Sequence, residues 1–300
     1  MRIDKLAVVG VGLIGGSCAL ALKRAGAVGT VVGIGRTAAN LDAAMHLGVI
    51  DRARRLDEDW TRELRDADIV LVAAPVAQFP KLFAALAPAI GAHSVVTDAG
   101  STKQDVIRAA RATFADALPR FVPGHPIAGT EHTGVAAAFA SLFEGRNVVL
   151  APLPETAHAA TDRVASLWQT CGARVTTMDA ARHDAVFAAV SHLPHVLAFA
   201  LVAELAARPD ASDYFDNAAS GFRDFTRIAA GSPEMWRDIA LANRDALLVE
   251  IDRYGDALDR ARALVAAGDG DGLAALFQQA SAARRAWELR RTLPIVEDKG

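Results

Sequence analysis

Cysteine is almost absent from this chain of 300 residues, which contains only Cys18 and Cys171. The two lie far apart in the sequence, and neither belongs to a CxxC or Cys/His spacing. A disulfide framework and a structural zinc site are therefore both unsupported. We expect two buried thiols, because an unpaired cysteine usually packs as a small apolar side chain.

An excess of positive charge is missing as well, since the formal net charge is -3 and the pI is about 6.2. Such a chain has no general attraction to nucleic acid or to an anionic membrane, so we expect a small-molecule partner. The opening residues MRIDK lead directly into a strand pattern without the apolar segment of a signal peptide, and no apolar run reaches about 18 residues. We expect a cytoplasmic protein that does not cross a membrane.

Hydrophobic residues are abundant, at 52% of the chain, which is enough for a sizeable core and, at this length, for two domains. In the first half, short apolar runs alternate with longer helical patterns. This alternation predicts βαβ units and a doubly wound parallel α/β sheet that is buried on both faces. The predicted strands lie at 5–10, 30–34, 68–73, 94–98, 120–123, 147–151 and 173–178, and we expect the last of them to close the sheet.

A glycine-rich loop, GVGLIG from Gly10 to Gly15, follows the first predicted strand and opens a helix. Gly10 permits a tight turn, Gly12 lets the backbone approach a pyrophosphate, and Gly15 lets the helix pack closely on the strand. The free N–H groups at the helix start, at Leu13 and Ile14, face the anion. In this context we expect a Rossmann-type dinucleotide site rather than a tight turn without a ligand.

The end of the second predicted strand should carry an acidic residue if it binds a ribose 2′-hydroxyl, but Gly35 stands there, followed by Arg36 and Thr37. Without a carboxylate, a 2′-phosphate is not repelled, and Arg36 can clamp this phosphate or stack on the adenine. We therefore predict NADP as the cofactor, with Arg36 and Thr37 near its 2′ end. The alternative is an NAD enzyme in which Arg36 is a solvated loop residue.

Beyond Asp179 the strand signals stop, and an apolar helix over 180–207, kinked at Pro194, begins a helical half. Its Ala- and Leu-rich faces are too apolar for an isolated bundle, so we expect a homodimer. The predicted domains are a dinucleotide-binding domain at 1–179 and an all-α substrate-binding and dimerisation domain at 180–300. Further helices are predicted at 216–230, 233–265 and 270–290.

Two polar residues follow predicted strands at the edge where open α/β sheets bind ligands. Ser101 can orient a catalytic base or bind substrate, and it is also a candidate N-cap of the helix that begins near Lys103. His125 lies between Gly124 and Pro126, which fix a loop conformation. Since an imidazole has an ordinary pKa of about 6.5, His125 suits the removal of a proton at neutral pH.

Ser191, His192 and His195 occur at spacings of i, i+1 and i+4, which places Ser191 and His195 on one helical face. Together with Pro194 they can form a polar patch that touches substrate, although His195 can equally be a structural histidine. The HxxH spacing permits a metal ligand pair as well. We predict no metal site, because no carboxylate or cysteine nearby completes one.

Three segments occur in order along the chain: GHPIAGTE at 124–131, SHLPH at 191–195 and GFRDFTRIAAGSPEMWRDIALAN at 221–243. With these motifs the chain resembles the prephenate and arogenate dehydrogenases of tyrosine biosynthesis over almost its whole length. The resemblance implies an oxidative decarboxylation that yields 4-hydroxyphenylpyruvate or tyrosine. In this reaction hydride leaves C4 of a cyclohexadiene ring for the nicotinamide, the 4-hydroxyl gives up its proton and CO2 departs.

The resemblance also implies roles for individual residues. His125 matches the family's histidine that hydrogen-bonds the ring hydroxyl, and Arg227 matches its carboxylate-binding arginine, with Arg223 as a competitor. Glu131 matches a glutamate near the pocket mouth, for which an exposed loop carboxylate is the alternative. Trp236 matches a tryptophan that borders the pocket, for which a buried aromatic anchor is the alternative.

Two other functions are weighed against this one. A β-hydroxyacid-type dehydrogenase also joins such a domain to helices, but it is expected to use a catalytic lysine on the helical domain, and no lysine lies between Lys103 and Lys299. A catalytically silent NADP-binding sensor is the second alternative. The presence of His125, Ser101 and Arg227 in one chain argues against such a sensor.

Overall fold

The computed structural model describes residues 2–130 and 132–292. These residues divide into two compact units that meet in the sequence between Leu247 and Leu248. The candidate site residues that the structure describes all lie in the first unit. The boundary expected at Asp179, between a dinucleotide-binding and a helical domain, stays a prediction.

Six parallel strands form the central sheet, in the order β3-β2-β1-β4-β5-β6. Strand order reverses between β1 and β4, which is the crevice where doubly wound folds bind ligands. The strands are β1 (Ile3–Val9), β2 (Val28–Gly35), β3 (Arg52–Arg55), β4 (Ile69–Val72), β5 (Val95–Asp98) and β6 (Phe121–Val122). The helices between them are α1 (Leu13–Arg24), α2 (Ala38–His46), α3 (Thr61–Arg65), α4 (Phe79–Leu86) and α5 (Gln104–Thr113).

The central strands β1, β4 and β5 are buried on both faces, as their apolar runs predict, whereas the edge strand β3 is arginine-rich and is not buried. In β1, Leu6 and Val8 pack into one apolar cluster, whereas Ala7 and Val9 pack into another on the opposite face. The second cluster is rich in aromatic rings, with the side chains of Phe79, Phe83, Phe114 and Phe121. In the first cluster, Cys18 and Cys171 are buried thiols, as expected, and their Sγ atoms lie 3.9 Å apart.

A second sheet contains the strands that were expected to complete the first one, so that part of the prediction is wrong. It consists of β7 (Gly124–Pro126), β8 (Asn147–Leu150) and β9 (Arg174–Thr177), with α6 (His158–Thr170) before β9. β7 is antiparallel to β8, and β8 is parallel to β9. The predicted strand at 120–123 ends at Pro123, which has no N–H to continue the ladder, so the chain leaves the first sheet there.

Helices form the rest of the described chain, as predicted. They are α7 (Ala180–Phe187), α8 (Leu193–Ala206), α9 (Ala211–Asp216), α10 (Ser220–Thr226), α11 (Pro233–Ala242), α12 (Arg244–Ala267) and α13 (Gly270–Thr292). A π turn, Ala188–His192, joins α7 to α8 immediately before Pro194. The helix expected at 233–265 is interrupted at Asn243, whose buried side chain bonds to other elements.

The helical run Ala180–Ala206 is long and apolar enough to cross a membrane by length and composition, with a mean hydropathy of 1.9 in its most apolar window. Only 28% of that window is buried in the structure. Core helices of soluble proteins can also be this long and this apolar. Length and composition are therefore weak support for a membrane span. Several apolar side chains of this run, such as Val190 and Leu201, are exposed on this chain.

Candidate active site

The glycine loop occupies the turn between β1 and α1, at the crevice of the sheet. Gly10 has a φ of +99°, a conformation that favours glycine, and a Cβ at this position would collide with the carbonyl of Ala73 after β4. A Cβ at Gly15 would lie 2.7 Å from the Val8 side chain. These two glycines are therefore required by the packing of the loop against its own sheet.

Gly12 is different, because a Cβ there would meet nothing within 4 Å. It precedes α1 without a side-chain cap, and the first turn of α1 has no acidic residue. The N–H groups at the start of this helix, at Leu13 and Ile14, thus have open space beside them and the positive end of the helix dipole behind them. This cradle fits the pyrophosphate of a dinucleotide.

Arg36 and Thr37 are both exposed directly after β2, which ends at Gly35 as the strand pattern predicted. Thr37 occupies the N-cap position of α2, and its side chain makes no capping hydrogen bond. The neighbouring strand places Arg55 beside Gly35. The residue that binds a ribose hydroxyl in many such folds is absent here, and cationic side chains stand at this end of the sheet instead.

His125 lies in β7, opposite Val149 of β8, and its imidazole is buried. Nδ1 of His125 is 2.8 Å from Nε2 of His183 in α7, and the ring packs edge-on against Phe187 with centroids 4.7 Å apart. Burial, followed by the nearby His183, Lys103 and His192, holds the pKa of His125 well below its usual range. His125 is therefore uncharged at neutral pH, as a proton acceptor must be.

His183 continues this contact to a carboxylate. Its Nδ1 lies 2.8 Å from Oδ1 of Asp184, which also accepts the Lys103 N–H at 2.8 Å, while Oδ2 accepts the Gln104 N–H at 2.9 Å. Burial lowers the pKa of His183, against the opposing hydrogen bond to Asp184. Burial raises the pKa of Asp184, but the hydrogen bonds from His183, Gln104 and Lys103 outweigh it, so the pKa is lowered and the group stays a carboxylate.

A fully buried ion pair supports the backbone beside His125. The Lys103 ammonium donates to the Asp98 carboxylate at the end of β5 and, at 2.7 Å, to the carbonyl of Gly124. Oδ1 of Asp98 accepts the Gly124 N–H at 3.1 Å. Both backbone groups of Gly124 are therefore fixed, which sets the direction in which the next side chain, His125, leaves the chain.

Ser101 is half-buried in the loop between β5 and α5. It is not the N-cap of α5, because the helix begins at Gln104 and its first N–H groups bond to the Asp184 side chain. That alternative is wrong. The Ser101 hydroxyl lies in the same loop as Lys103, whose ammonium holds the Gly124 carbonyl next to His125.

The SHLPH segment contributes a second group of side chains at the π turn. His192 is buried, and Asn243 donates from Nδ2 to its Nδ1 at 3.1 Å. Burial lowers the pKa of His192 to about 4. Its Nε2 is buried without a hydrogen-bond partner within the described part of the chain. A neutral imidazole that accepts at Nδ1 carries its proton at Nε2, so this atom is an available donor.

His195 is half-buried and donates from Nδ1 to the carbonyl of Ser191 at 2.8 Å, a contact within one helical turn. Its ring stacks on Trp236 with centroids 3.3 Å apart. Trp236 is itself half-buried, so it is not the fully buried anchor that was the alternative. An apolar cavity of about 260 Å³ lies beside these rings, lined by His192, His195, Val196, Phe199, Pro233, Trp236, Arg237 and Ala240.

Arg227 begins a short 3-10 turn, Arg227–Ala230, and its side chain is exposed. Burial lowers the pKa of His195, the hydrogen bond to the Ser191 carbonyl opposes this effect, and the charge of Arg227 lowers the pKa further. Arg223 is exposed and forms a surface ion pair with Asp224 at 3.4 Å. Glu131 lies outside the residues that the structure describes.

Four important groups were missed in the sequence: Lys103, His183, Asp184 and Asn243. A signal was present for two of them, since His183 and Asp184 are adjacent polar residues within an otherwise apolar helical pattern. The other two gave none, because a lysine at a helix start and an asparagine within a helical pattern are ordinary surface residues. Within the described residues, no cluster of three His, Cys, Asp or Glu side chains could hold a metal ion.

Comparison with known proteins matches both halves of the chain. Residues 18–177 match the family model for the prephenate dehydrogenase nucleotide-binding domain, and residues 179–279 match that for the prephenate dehydrogenase dimerization domain. A cyclohexadienyl dehydrogenase from Zymomonas mobilis subsp. mobilis is 37% identical over 285 residues, which cover 94% of this chain and 95% of the relative.

Solved structures agree with these sequence matches. The structure of prephenate dehydrogenase from A. aeolicus in complex with hydroxyphenyl propionate and NAD+ superposes with a TM-score of 0.88 at 33% identity, covering 95% of this chain and 99% of that one. Synechocystis arogenate dehydrogenase superposes with a TM-score of 0.78 at 29% identity, covering 94% and 99% of the two chains. This chain therefore belongs to the prephenate dehydrogenase family and is an NAD(P)-linked oxidoreductase.

Proposed function

We propose that this enzyme converts prephenate, arogenate or both into 4-hydroxyphenylpyruvate or tyrosine by oxidative decarboxylation, with His125 as the base. The observation that carries the proposal is the buried, uncharged His125 in β7, held by His183 of α7 at 2.8 Å. These substrates present a ring hydroxyl that must lose a proton and carboxylates that require a cation. The fold offers one group for each need.

His125 receives the hydroxyl proton. Because its pKa is depressed, its free nitrogen accepts a hydrogen bond from the 4-hydroxyl at neutral pH. A nicotinamide cofactor, when bound, would supply the acceptor for the hydride that leaves C4. The electron pair released with CO2 makes the ring aromatic, and the proton returns from His125 to the ring oxygen. Ser101, in the loop after β5, hydrogen-bonds the substrate or orients His125.

Arg227 binds a substrate carboxylate. A guanidinium can grip a carboxylate through two parallel hydrogen bonds, and a charge-assisted bond of this kind contributes about 1.5 to 3 kcal/mol. The effect of Arg227 on the pKa of His195 supports their use in one pocket. His195, Ser191 and the Trp236 ring that stacks on His195 border the substrate there.

NADP is the cofactor that we favour. Gly10, Gly12 and Gly15 would hold the pyrophosphate, with the N–H groups of Leu13 and Ile14 as donors. Gly35 in place of an acid, together with the exposed guanidinium of Arg36, supports a 2′-phosphate beside Thr37. The neighbouring Arg55 is ion-paired with Asp57. NAD is the alternative, and the experiment below separates the two.

We also propose that two copies of the chain associate. The apolar run Ala180–Ala206 leaves much of its surface uncovered, and the matched family domain is described as a dimerization domain. A lipid environment fits this run poorly, because it carries the ionised Asp184 and two buried histidines. A second copy in the cytoplasm accounts for the uncovered face without placing a charge in lipid.

One assay tests the proposed reaction. Purified enzyme is mixed with prephenate or arogenate and with NADP or NAD, and formation of the reduced cofactor is followed in all four combinations. We expect turnover with at least one substrate and a higher kcat/KM with NADP. Absence of reduction in every combination would refute the reaction, and a clear preference for NAD would overturn only the cofactor assignment. Tight NADP binding without turnover would instead support a sensor.

A further inference from the structure

The contact between His125 and His183 is the middle of a longer chain of hydrogen bonds that ends at Asp184. We infer that His183 and Asp184 are positioning residues that hold His125 as the tautomer protonated at Nδ1, which leaves Nε2 as the atom that accepts the substrate proton. This inference rests on the proposed function for the identity of that proton.

The direction of the hydrogen bonds follows from the carboxylate. Both oxygens of Asp184 accept backbone N–H groups, at 2.8 Å from Lys103 and 2.9 Å from Gln104, so the group is in its acceptor form. Nδ1 of His183, at 2.8 Å from Oδ1, must then be the donor in this pair. A neutral imidazole with its proton at Nδ1 has a lone pair at Nε2.

That lone pair decides the state of His125. Nε2 of His183 lies 2.8 Å from Nδ1 of His125, and two lone pairs cannot share this distance, so His125 donates from Nδ1. A neutral His125 then has its own lone pair at Nε2. The carboxylate therefore sets the tautomer of a ring that it does not touch, through the hydrogen bond made by the ring between them.

The frame around these rings is rigid on both sides. Asp184 receives the first N–H groups of α5, and Lys103 at the start of the same helix holds the Gly124 carbonyl. Phe187 packs against both imidazoles, with centroid distances of 4.7 Å to His125 and 4.5 Å to His183. His183 and Phe187 lie four residues apart on α7. One face of this helix therefore carries both the imidazole that accepts the hydrogen bond from His125 and the phenyl ring that packs against that imidazole.

The arrangement also accounts for the charge that appears during the reaction. When Nε2 of His125 takes the proton, the imidazolium keeps its Nδ1–H bond to His183, and the Asp184 carboxylate at the end of the chain stabilises the new positive charge. No second proton has to move. The proton remains at Nε2 until it returns to the ring oxygen of the product.

Two substitutions of His183 separate hydrogen bonding from packing. In His183→Gln the amide oxygen can take the place of Nε2 and still accept from Nδ1 of His125. In His183→Phe a ring of similar size remains, but it has no acceptor. Wild type and both variants are prepared as full-length protein with 15N-labelled histidine, and NMR assigns the protonated nitrogen of His125. The same samples are assayed for kcat and KM.

We expect the Nδ1–H tautomer of His125 in wild type and in His183→Gln, and a shift toward Nε2–H in His183→Phe. We expect kcat of His183→Phe to fall by about 10- to 100-fold, a partial loss of the about 10²- to 10⁴-fold that general-base assistance contributes, with KM changed by less than about threefold. His183→Gln should recover most of the lost kcat. A purely structural role for His183 would not alter the tautomer selectively.

The wild-type spectrum keeps the inference testable even where a variant does not fold. An Nε2–H tautomer of His125 in wild type overturns it, and so does a normal kcat in a folded His183→Phe enzyme. If wild type shows the Nδ1–H tautomer but turns over neither prephenate nor arogenate, the positioning contact stands and the proposed reaction fails. The two ideas therefore fail through different measurements.

Discussion

At the scale of single residues, His125 combines burial with the loss of charge that burial causes. Removing a charged form from water costs free energy, so the neutral base is the stable state of this ring. For His125→Asn we expect a kcat lower by about 10² to 10⁴, with normal folding and NADP binding. Stopped-flow or steady-state rates, circular dichroism and NADP titration check this expectation, and an unchanged kcat would remove His125 from the reaction.

The pH dependence of kcat/KM provides a second test of His125 as the base. His125 acts when unprotonated, and its lowered pKa means that protonation begins only below its ordinary value of about 6.5. In wild type, kcat/KM should therefore stay level from neutral pH down to that value and fall at lower pH. His125→Asn should lack this fall. An acid limb that persists in the variant would point to a different titrating group.

Arg227 and Arg223 lie one helical turn apart and make a matched pair for mutation. Arg227 influences His195, whereas Arg223 pairs with Asp224 on the surface. Arg227→Ala should raise KM by at least about tenfold, the equivalent of about 1.4 kcal/mol, with a smaller loss of kcat. Arg223→Ala should leave both values near those of wild type. A raised KM in Arg223→Ala with an unchanged KM in Arg227→Ala would instead assign the binding of the substrate carboxylate to Arg223.

At the scale of elements, the glycine loop separates folding from binding. Gly10 has a positive φ and a crowded Cβ position, whereas Gly12 has open space. Gly12→Ala should keep the melting temperature near wild type while it raises the Kd of NADP by about tenfold, because the methyl group fills the anion cradle. Gly10→Ala should lose stability instead. Calorimetry and dinucleotide titration distinguish these outcomes, and normal binding by Gly12→Ala would place the anion elsewhere.

The link between β5 and α5 depends on a buried ion pair. Lys103→Met leaves the Asp98 carboxylate buried without its cation, and such changes lower the free energy of unfolding by about 3 to 5 kcal/mol. Lys81→Met, at an exposed position on α4, should change it by less than about 0.5 kcal/mol. Urea unfolding of the two variants makes the comparison. Equal free energies of unfolding for the two variants would show that the ion pair between Lys103 and Asp98 contributes little to stability.

At the scale of the whole molecule, the helices after Leu247 expose large apolar side chains. In α13 no described side chain is buried, and Phe277 is 63% exposed. Exposure of this kind is typical of a surface that a partner covers. Sedimentation equilibrium should give twice the chain mass of 31.5 kDa. Phe277→Asp should shift the protein toward monomer, whereas Gln279→Asp on another face of α13 should not. A monomeric wild type would contradict the homodimer.

The sequence predicted much of this molecule because the relevant signals are local. Apolar runs predicted five of the six strands of the first sheet, all but the arginine-rich β3, and a glycine whose φ must be positive marked the loop after β1. Even so, β8 and β9 carry the same apolar pattern as the strands of the first sheet. Their separation into a second sheet depends on Pro123, which ends one ladder, and on the antiparallel partner that β7 supplies.

By itself, then, the sequence determined the fold class, the dinucleotide loop and the choice of His125, since each is encoded by neighbouring residues with restricted chemistry. Only the tertiary structure decided what surrounds that histidine. His183 is 58 residues from His125 in the chain, and Asp184 is 81 residues from the Lys103 N–H that it accepts. Local patterns carry no information about such contacts, because they arise when separate helices and strands pack together and exclude water from the polar groups between them.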